Sequence, residues 1–187
     1  MIRPPPRSTL FPYTTLFRSS LNEEELDIRD LLDSVWRLAE GWPLAQTKHV
    51  AINIEDNIPD LMADHRLAKQ MVLNLLSNAV KFSPDGSTIT LHAFLNAEGG
   101  ISIDVQDKGM GIPEESLPKL TEAFFQVDSR LEREYEGSGL GLTLVKKHIS
   151  LHDGTLKFES ELGAGTTATL TFPPERTRTK SDNVQSA

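Results

Sequence analysis

The chain contains no cysteine, which excludes disulfides and thiolate metal sites and is compatible with a reducing compartment. It has no run approaching the ~20 apolar residues of a membrane span, so any membrane segment would have to lie upstream of these residues. Positive charge is in deficit. Nineteen Lys and Arg stand against 27 Asp and Glu, for a formal net charge of −8 and a pI near 5.1. That balance argues against non-specific binding to nucleic acid or anionic lipid. It leaves an anionic small ligand open, because oriented backbone dipoles can hold phosphates in an acidic protein. What is present is globular: 187 residues, 38% hydrophobic and 25% charged, enough for one domain with a core.

The first 19 residues, MIRPPPRSTLFPYTTLFRS, carry no acidic residue and break sharply in composition from the remainder of the chain. They lack the uninterrupted apolar core of a signal peptide, and Pro4, Pro5 and Pro6 stand near the start. They resemble the conceptual translation of a sequencing-library adapter, with Pro4 as a departure. Residues 1–19 are therefore expected to be a disordered artefact outside the fold. On that reading the natural frame is truncated on its N-terminal side, and the domain occupies residues 20–173. A polar, disordered tail is expected over 174–187.

Periodicity outlines the rest. Leu26 to Arg29 is a short strand candidate, and Asp30 is placed to cap a helix reaching Glu40. Val50 to Ile54 alternates as a strand. Asp64 starts a long helix to Lys81, closed by Ser83-Pro84-Asp85-Gly86. Strands are read at Thr88 to Leu95 and Ile101 to Val105, and Glu114 to Phe125 reads as mostly helical. The charged stretch Asp128 to Ser138 reads as a mobile loop. A helix spans Leu140 to Leu151, with strands at Thr155 to Ser160 and Thr166 to Phe172. The mixed order favours an α+β two-layer sandwich: a mixed, mostly antiparallel sheet covered by three helices on one face.

Four segments carry chemistry. On the long helix, Ala68, Val72, Leu75, Leu76 and Ala79 form a core stripe, while Asn74, Asn78, Lys81 and Phe82 share a neighbouring one. Asparagine is a poor mid-helix residue. The pair is either two solvated amides or a row facing a ligand, where an amide oxygen suits Mg²⁺ and a lysine suits phosphate. Asp107-Lys108-Gly109-Met110-Gly111-Ile112 comes directly after a strand. It is either a tight turn or a base reader, since a fixed carboxylate accepts from adenine's amino group and repels guanine's carbonyl. Gly137-Ser138-Gly139-Leu140-Gly141-Leu142 opens a helix, where unpaired N–H groups can meet phosphate. It is neither a P-loop nor a Rossmann fingerprint. Gly163-Ala164-Gly165-Thr166 alone reads as a hairpin. His148 and His152 share a helical row without an HExxH pattern and read as surface or core-edge histidines.

In this order, and with Phe124-Phe125 between them, the segments resemble the N, G1, F, G2 and G3 boxes of the histidine kinase ATP-binding domain, within the gyrase–chaperone–kinase ATPase superfamily. The resemblance covers about residues 20–173. It implies that Asn78 coordinates Mg²⁺, Asn74 supports phosphates or metal, Lys81 contacts phosphate and Phe82 lies against adenine. It further implies that Asp107 holds the adenine amino group, with Thr166 helping through water. Gly109, Gly111 and Ile112, with Gly137, Ser138, Gly139, Leu140 and Gly141, would line the nucleotide. Gln126 to Ser138 would be the ATP lid. Gln126 stands where many members carry arginine, which leaves Arg130 or Arg133 as the lid cation. Ala168 stands where an aromatic is common, which implies looser packing beneath the base. Gyrase-like ATPases place a general-base glutamate at the position of Asn74, and an amide cannot take a proton near neutral pH. Slow hydrolysis is therefore implied, which disfavours a stand-alone ATPase or an anti-sigma serine kinase.

The expected function is the catalytic half of a two-component histidine kinase, using ATP and Mg²⁺. The alternative is a nucleotide-binding regulatory module without transfer activity. No histidine here lies in the family's phosphoacceptor context, so the fragment has no catalytic residue of its own and needs an upstream dimerisation and phosphoacceptor domain. A response regulator is an indirect partner. Nucleic acid and membrane contacts are not expected of this cytoplasmic domain, whose parent is free to carry an anchor. A chain starting at Ser20 should melt within about 2 °C of the full chain, the shift that a fraction of a kcal/mol produces. Calorimetry checks this, and a larger drop would mean that residues 1–19 pack.

Overall fold

The computed structural model describes residues 21–127 and 139–179. The adapter-like segment, most of the expected lid and residues 180–187 lie outside them. Helix α1 is Ile28–Ala39. Its cap is Asp27, not Asp30: the extended Asp27 accepts from the Arg29 N–H at 2.7 Å and the Asp30 N–H at 3.2 Å. The strand placed at Leu26 to Arg29 accordingly moves back to β1, Glu23–Leu26. Ile28, Leu31, Leu32, Val35 and Ala39 form the buried face of α1.

Strand β2 is His49–Ile54, and β3 is Asp60–Asp64. Asp64 then caps α2, His65–Phe82, by accepting from the Leu67 N–H at 3.1 Å. The core stripe read from the sequence is all buried, joined by Leu67, Met71 and Val80. Strands β4 (Thr88–Leu95) and β5 (Ile101–Gln106) come next, then α3 (Gly141–Leu151), β6 (Thr155–Glu161) and β7 (Gly165–Phe172). They form a five-stranded sheet in the order β2-β4-β5-β7-β6, antiparallel except for the parallel β2–β4 pair. Ile89, Leu91 and Ala93, Ile101, Ile103 and Val105, and Ala168, Leu170 and Phe172 alternate inward to the core with α1, α2 and α3. Each large side chain fully buried there contributes roughly 1.5–3 kcal/mol. The expected α+β sandwich is what the chain forms.

Two further expectations needed correction. Glu114 to Phe125 is not mostly α-helical: Glu114–Lys119 is a 3₁₀ turn with Pro118 inside it, and proline offers no N–H to an α-helical ladder. Nor is everything beyond 173 disordered. Pro174–Arg176 forms a 3₁₀ turn and Thr177–Arg178 forms β8, which pairs with β3. A second sheet, β1-β3-β8, results.

A polar knot ties that small sheet to α2 and α3. His152 is fully buried at the end of α3. Its Nε2 accepts the Asp64 N–H at 3.1 Å, so Nδ1 carries the proton and donates to the His148 carbonyl at 2.7 Å. Arg176 donates Nε–H to the His152 carbonyl at 2.5 Å, and Nη1–H to Glu23 at 2.8 Å and to the Met62 carbonyl at 3.1 Å. Burial depresses the His152 pKa, helped by the Arg176 charge and opposed by the His148 carbonyl, Asp64 and Glu23. Burial likewise depresses His148, with Arg66, His152 and Lys147 adding to it against Asp64. For Asp64, burial pushes upward, but the Leu67 and Asn22 N–H groups with Arg66 and His152 hold it below its ordinary value.

A histidine whose folded pKa lies below its unfolded value favours the native state fully above the unfolded pKa. That stability is lost as pH falls through ~6.5 towards the folded pKa, because the unfolded chain binds the extra proton. Denaturant unfolding from about pH 7 to 5 should therefore show falling stability. In His152→Gln, whose amide oxygen can accept the Asp64 N–H without titrating, the slope should shrink. An unchanged slope would remove His152 from the account.

Candidate functional site

The second stripe of α2 is on this helix because 100° per residue brings positions 74, 78, 81 and 82 round to one side. Asn74, Asn78, Lys81 and Phe82 all line one cavity of about 480 Å³, a size typical of small-molecule sites. The loop after β5 adds Asp107, Gly111 and Ile112, the start of α3 adds Gly139 and Gly141, and β7 adds Thr166. The structure thus collects four segments that are far apart in sequence. Gly109 and Leu140 are not among the lining residues. Arg130, Arg133, Gly137 and Ser138 fall outside the described residues.

Asp107 comes directly after β5. The Gly109 N–H donates to its Oδ1 at 2.7 Å, and the Asp107 N–H donates to the Thr166 carbonyl at 2.9 Å. Burial pushes the Asp107 pKa above its ordinary value, against the pull of backbone N–H groups at Gly109 and Thr166. The corner is braced from behind by Ser160, whose hydroxyl touches Ile112, Gly165 and Thr166.

The glycines serve this packing as much as any ligand. Gly111 has φ +72°, and a Cβ there would collide with the Glu161 carbonyl. Gly165 has φ +113°, and a Cβ there would collide with the Asp107 carbonyl. The close approach inferred from the paired glycines is therefore an approach of the protein's backbone to itself.

On α2, Lys81 Nζ lies 4.7 Å from the Phe82 ring centroid, a cation–π contact. Asn74 Nδ2 donates to the Gly141 carbonyl at 3.4 Å, which links α2 to the first residue of α3. The N-cap residue Leu140 makes no side-chain cap bond to α3, and among the described residues nothing lies within 4 Å of where a Gly141 Cβ would sit. Of the Phe pair, Phe125 lines the cavity. Phe124 is 74% exposed, with φ +64°, and its N–H donates to the Gly139 carbonyl at 3.2 Å.

Sequence reasoning missed several apolar walls: Val105, Met110, Leu142, Phe158 and Leu162. Inward alternation in β5 and β6 was a usable signal for Val105 and Phe158. Ala168, flagged as a small residue beneath the base, does line the cavity. Ser160 was missed as well, and only its place shortly before the glycine hairpin hinted at it.

Known proteins share this outline. Residues 63–176 match the family described as "Histidine kinase-, DNA gyrase B-, and HSP90-like ATPase". The chain is 36% identical over 160 residues to the "Non-motile and phage-resistance protein" of Caulobacter vibrioides, covering 83% of this chain and 19% of that one. It is 39% identical over 157 residues to "Autoinducer 2 sensor kinase/phosphatase LuxQ" of Vibrio vulnificus, covering 80% of this chain and 18% of that one. Full-length ShkA solved in complex with AMPPNP superposes with a TM-score of 0.75 at 28% identity, covering 86% of this chain and 32% of that one. The chain thus spans under a fifth of the length of these two curated relatives.

Gly165→Ala should destabilise the domain by about 1–3 kcal/mol through a strained φ, with more from the collision at Asp107. Urea unfolding measures this. A stability equal to wild type would mean that the hairpin and the loop after β5 are not tightly apposed.

Proposed function

This chain belongs to the family of histidine kinase-, DNA gyrase B- and HSP90-like ATPases, and we propose that it is the ATP-binding catalytic part of a sensor histidine kinase. The observation that carries this reading is the one cavity that Asn74, Asn78 and Lys81 line together with Asp107 and Thr166. Asp107 and Thr166 offer acceptors suited to an amino-bearing base. Lys81, Asn74, Asn78 and the N-terminus of α3 suit phosphates. Gln126 to Ser138 is proposed as the lid, with Arg130 or Arg133 as its cation.

Mg²⁺ fits the donor set. Among the described residues no cluster of three His, Cys, Asp or Glu could hold a metal, so an ion beside Asn78 would draw its other ligands from water and phosphate, as Mg²⁺ commonly does. When bound, the ion neutralises charge that develops on the phosphates. The chain's own part is positioning. Asp107 orients the base, Lys81 meets phosphate as a point charge, and Asn74 fixes the start of α3 without acting as a base. With an amide at position 74, no side chain there activates water, so the γ-phosphate is kept for an acceptor histidine on another domain.

The proposed partner is therefore a dimerisation and phosphoacceptor domain, with a response regulator downstream of it. The sensor-kinase name of the Vibrio vulnificus relative supports this reading. Among the described residues no helix is long and apolar enough to cross a membrane.

Two outcomes test the proposal. Asp107→Asn should weaken ATP binding by more than about 1.4 kcal/mol, roughly tenfold, in calorimetry. Equal affinities would remove Asp107 from the base site. With radiolabelled ATP, the fragment alone should stay unlabelled, while a separately supplied phosphoacceptor domain should gain acid-labile label that Asn78→Ala abolishes. The untethered reaction needs high concentration. Self-labelling on histidine would overturn the severed-half reading, and an acceptor that never labels would favour a regulatory module.

A further inference from the structure

The hydrogen bonds behind the base-reading corner determine which way one hydroxyl points. The Ser160 side chain does not line the cavity, yet its Oγ makes three contacts. The Ile112 N–H donates to it at 2.8 Å, it donates to the Gly165 carbonyl at 2.9 Å, and it lies 2.8 Å from Thr166 Oγ1. A serine hydroxyl has one proton and two lone pairs. The proton goes to Gly165, and one lone pair receives the Ile112 N–H. The remaining lone pair faces Thr166, so the Thr166 hydroxyl must be the donor in that contact. Thr166 therefore has no proton left for the cavity it lines and presents only lone pairs there. Asp107, beside it, is an acceptor as well.

We propose that Ser160 is a specificity-determining positioning residue: by taking the Thr166 proton, it turns the corner into an acceptor-only surface that selects a purine with an amino group at C6 and rejects one with a carbonyl. This rests on the nucleotide reading above. Without Ser160, the Thr166 hydroxyl rotates freely and can donate to a 6-oxo purine, and a hydroxyl that serves either role discriminates poorly.

The test compares ATP with ITP, which differ at C6 between an amino group and a carbonyl and at N1 between a lone pair and an N–H, by calorimetry on the full chain. Wild type should prefer ATP by roughly tenfold or more, as sites built on buried polar groups do. Ser160→Ala should shrink the ATP:ITP ratio by roughly threefold or more, chiefly by improving ITP. Thr166→Val separates this from a merely structural role, because without the Thr166 hydroxyl the state of Ser160 no longer matters. Ser160→Ala added to Thr166→Val should leave the ratio of the single Thr166→Val variant unchanged, whereas general loosening of the loop would shift the ratio in both backgrounds. An unchanged ratio in Ser160→Ala, or an equal shift in both backgrounds, overturns the assignment while ATP binding stands. If wild type binds no ATP, the functional reading fails and this inference fails with it.

Discussion

The site depends on one constraint: the loop after β5 and the β6–β7 hairpin meet backbone to backbone. Gly165 lies against the Asp107 carbonyl, and Gly111 lies against the Glu161 carbonyl. Neither contact tolerates a Cβ, so the sequence of each segment is constrained by the other. Because they meet, Asp107, Ile112 and Thr166 share one wall of the cavity. The register of β5 with β7 sets this up, since Gln106 pairs with Thr167 and the next step brings Asp107 to Thr166. A slip of one residue would turn Thr166 to the other face and dissolve the corner.

Stability and chemistry are divided between the layers. The inward rows of β4, β5 and β7 pack with the helices in a largely apolar core, with His152 edge-on to Phe172 at its margin. The polar row of α2 stands beside that core without entering it, which lets a helix with two central asparagines remain stable. The buried His152 and Asp64 are held instead in a polar knot with the partly buried Arg176, where each group has a partner. That knot joins β1, β3 and the chain after β7 to the two helices that border the cavity.

Most of this was legible in the sequence where periodicity or motif spacing ran long. Both faces of α2 follow from 3.6-residue repetition, and the box-like segments pointed to the residues that gather around the cavity. The failures were local and physical. Asp27 and Asp30 are both competent caps, and only the approach of β1 to β3 decides between them. Strand β3 runs Leu61-Met62-Ala63 at its centre and so shows no period-2 alternation, and β8 has only two residues. Glu114 to Phe125 looked helical by composition, but Pro118 limits it to a tighter turn. The role of Ser160 depends on three partners that come together only in the folded hairpin, which no one-dimensional pattern displays.

The β1-β3-β8 sheet has a mechanical side. Both outer strands run antiparallel to β3. Strand β1 begins opposite Asp64, while β8 ends opposite Asp60, so tension pulling the two outward ends apart loads the sheet in shear and not as a zipper. Shear strains the rungs of each strand pair together, whereas unzipping would break them one at a time. The Asn22 N–H at the entry is also bonded to the Asp64 carboxylate at 3.2 Å, and Asp64 caps α2. A displacement imposed on residue 22 is thereby delivered as a rigid tug on the N-terminal end of the helix that carries Asn74, Asn78 and Lys81.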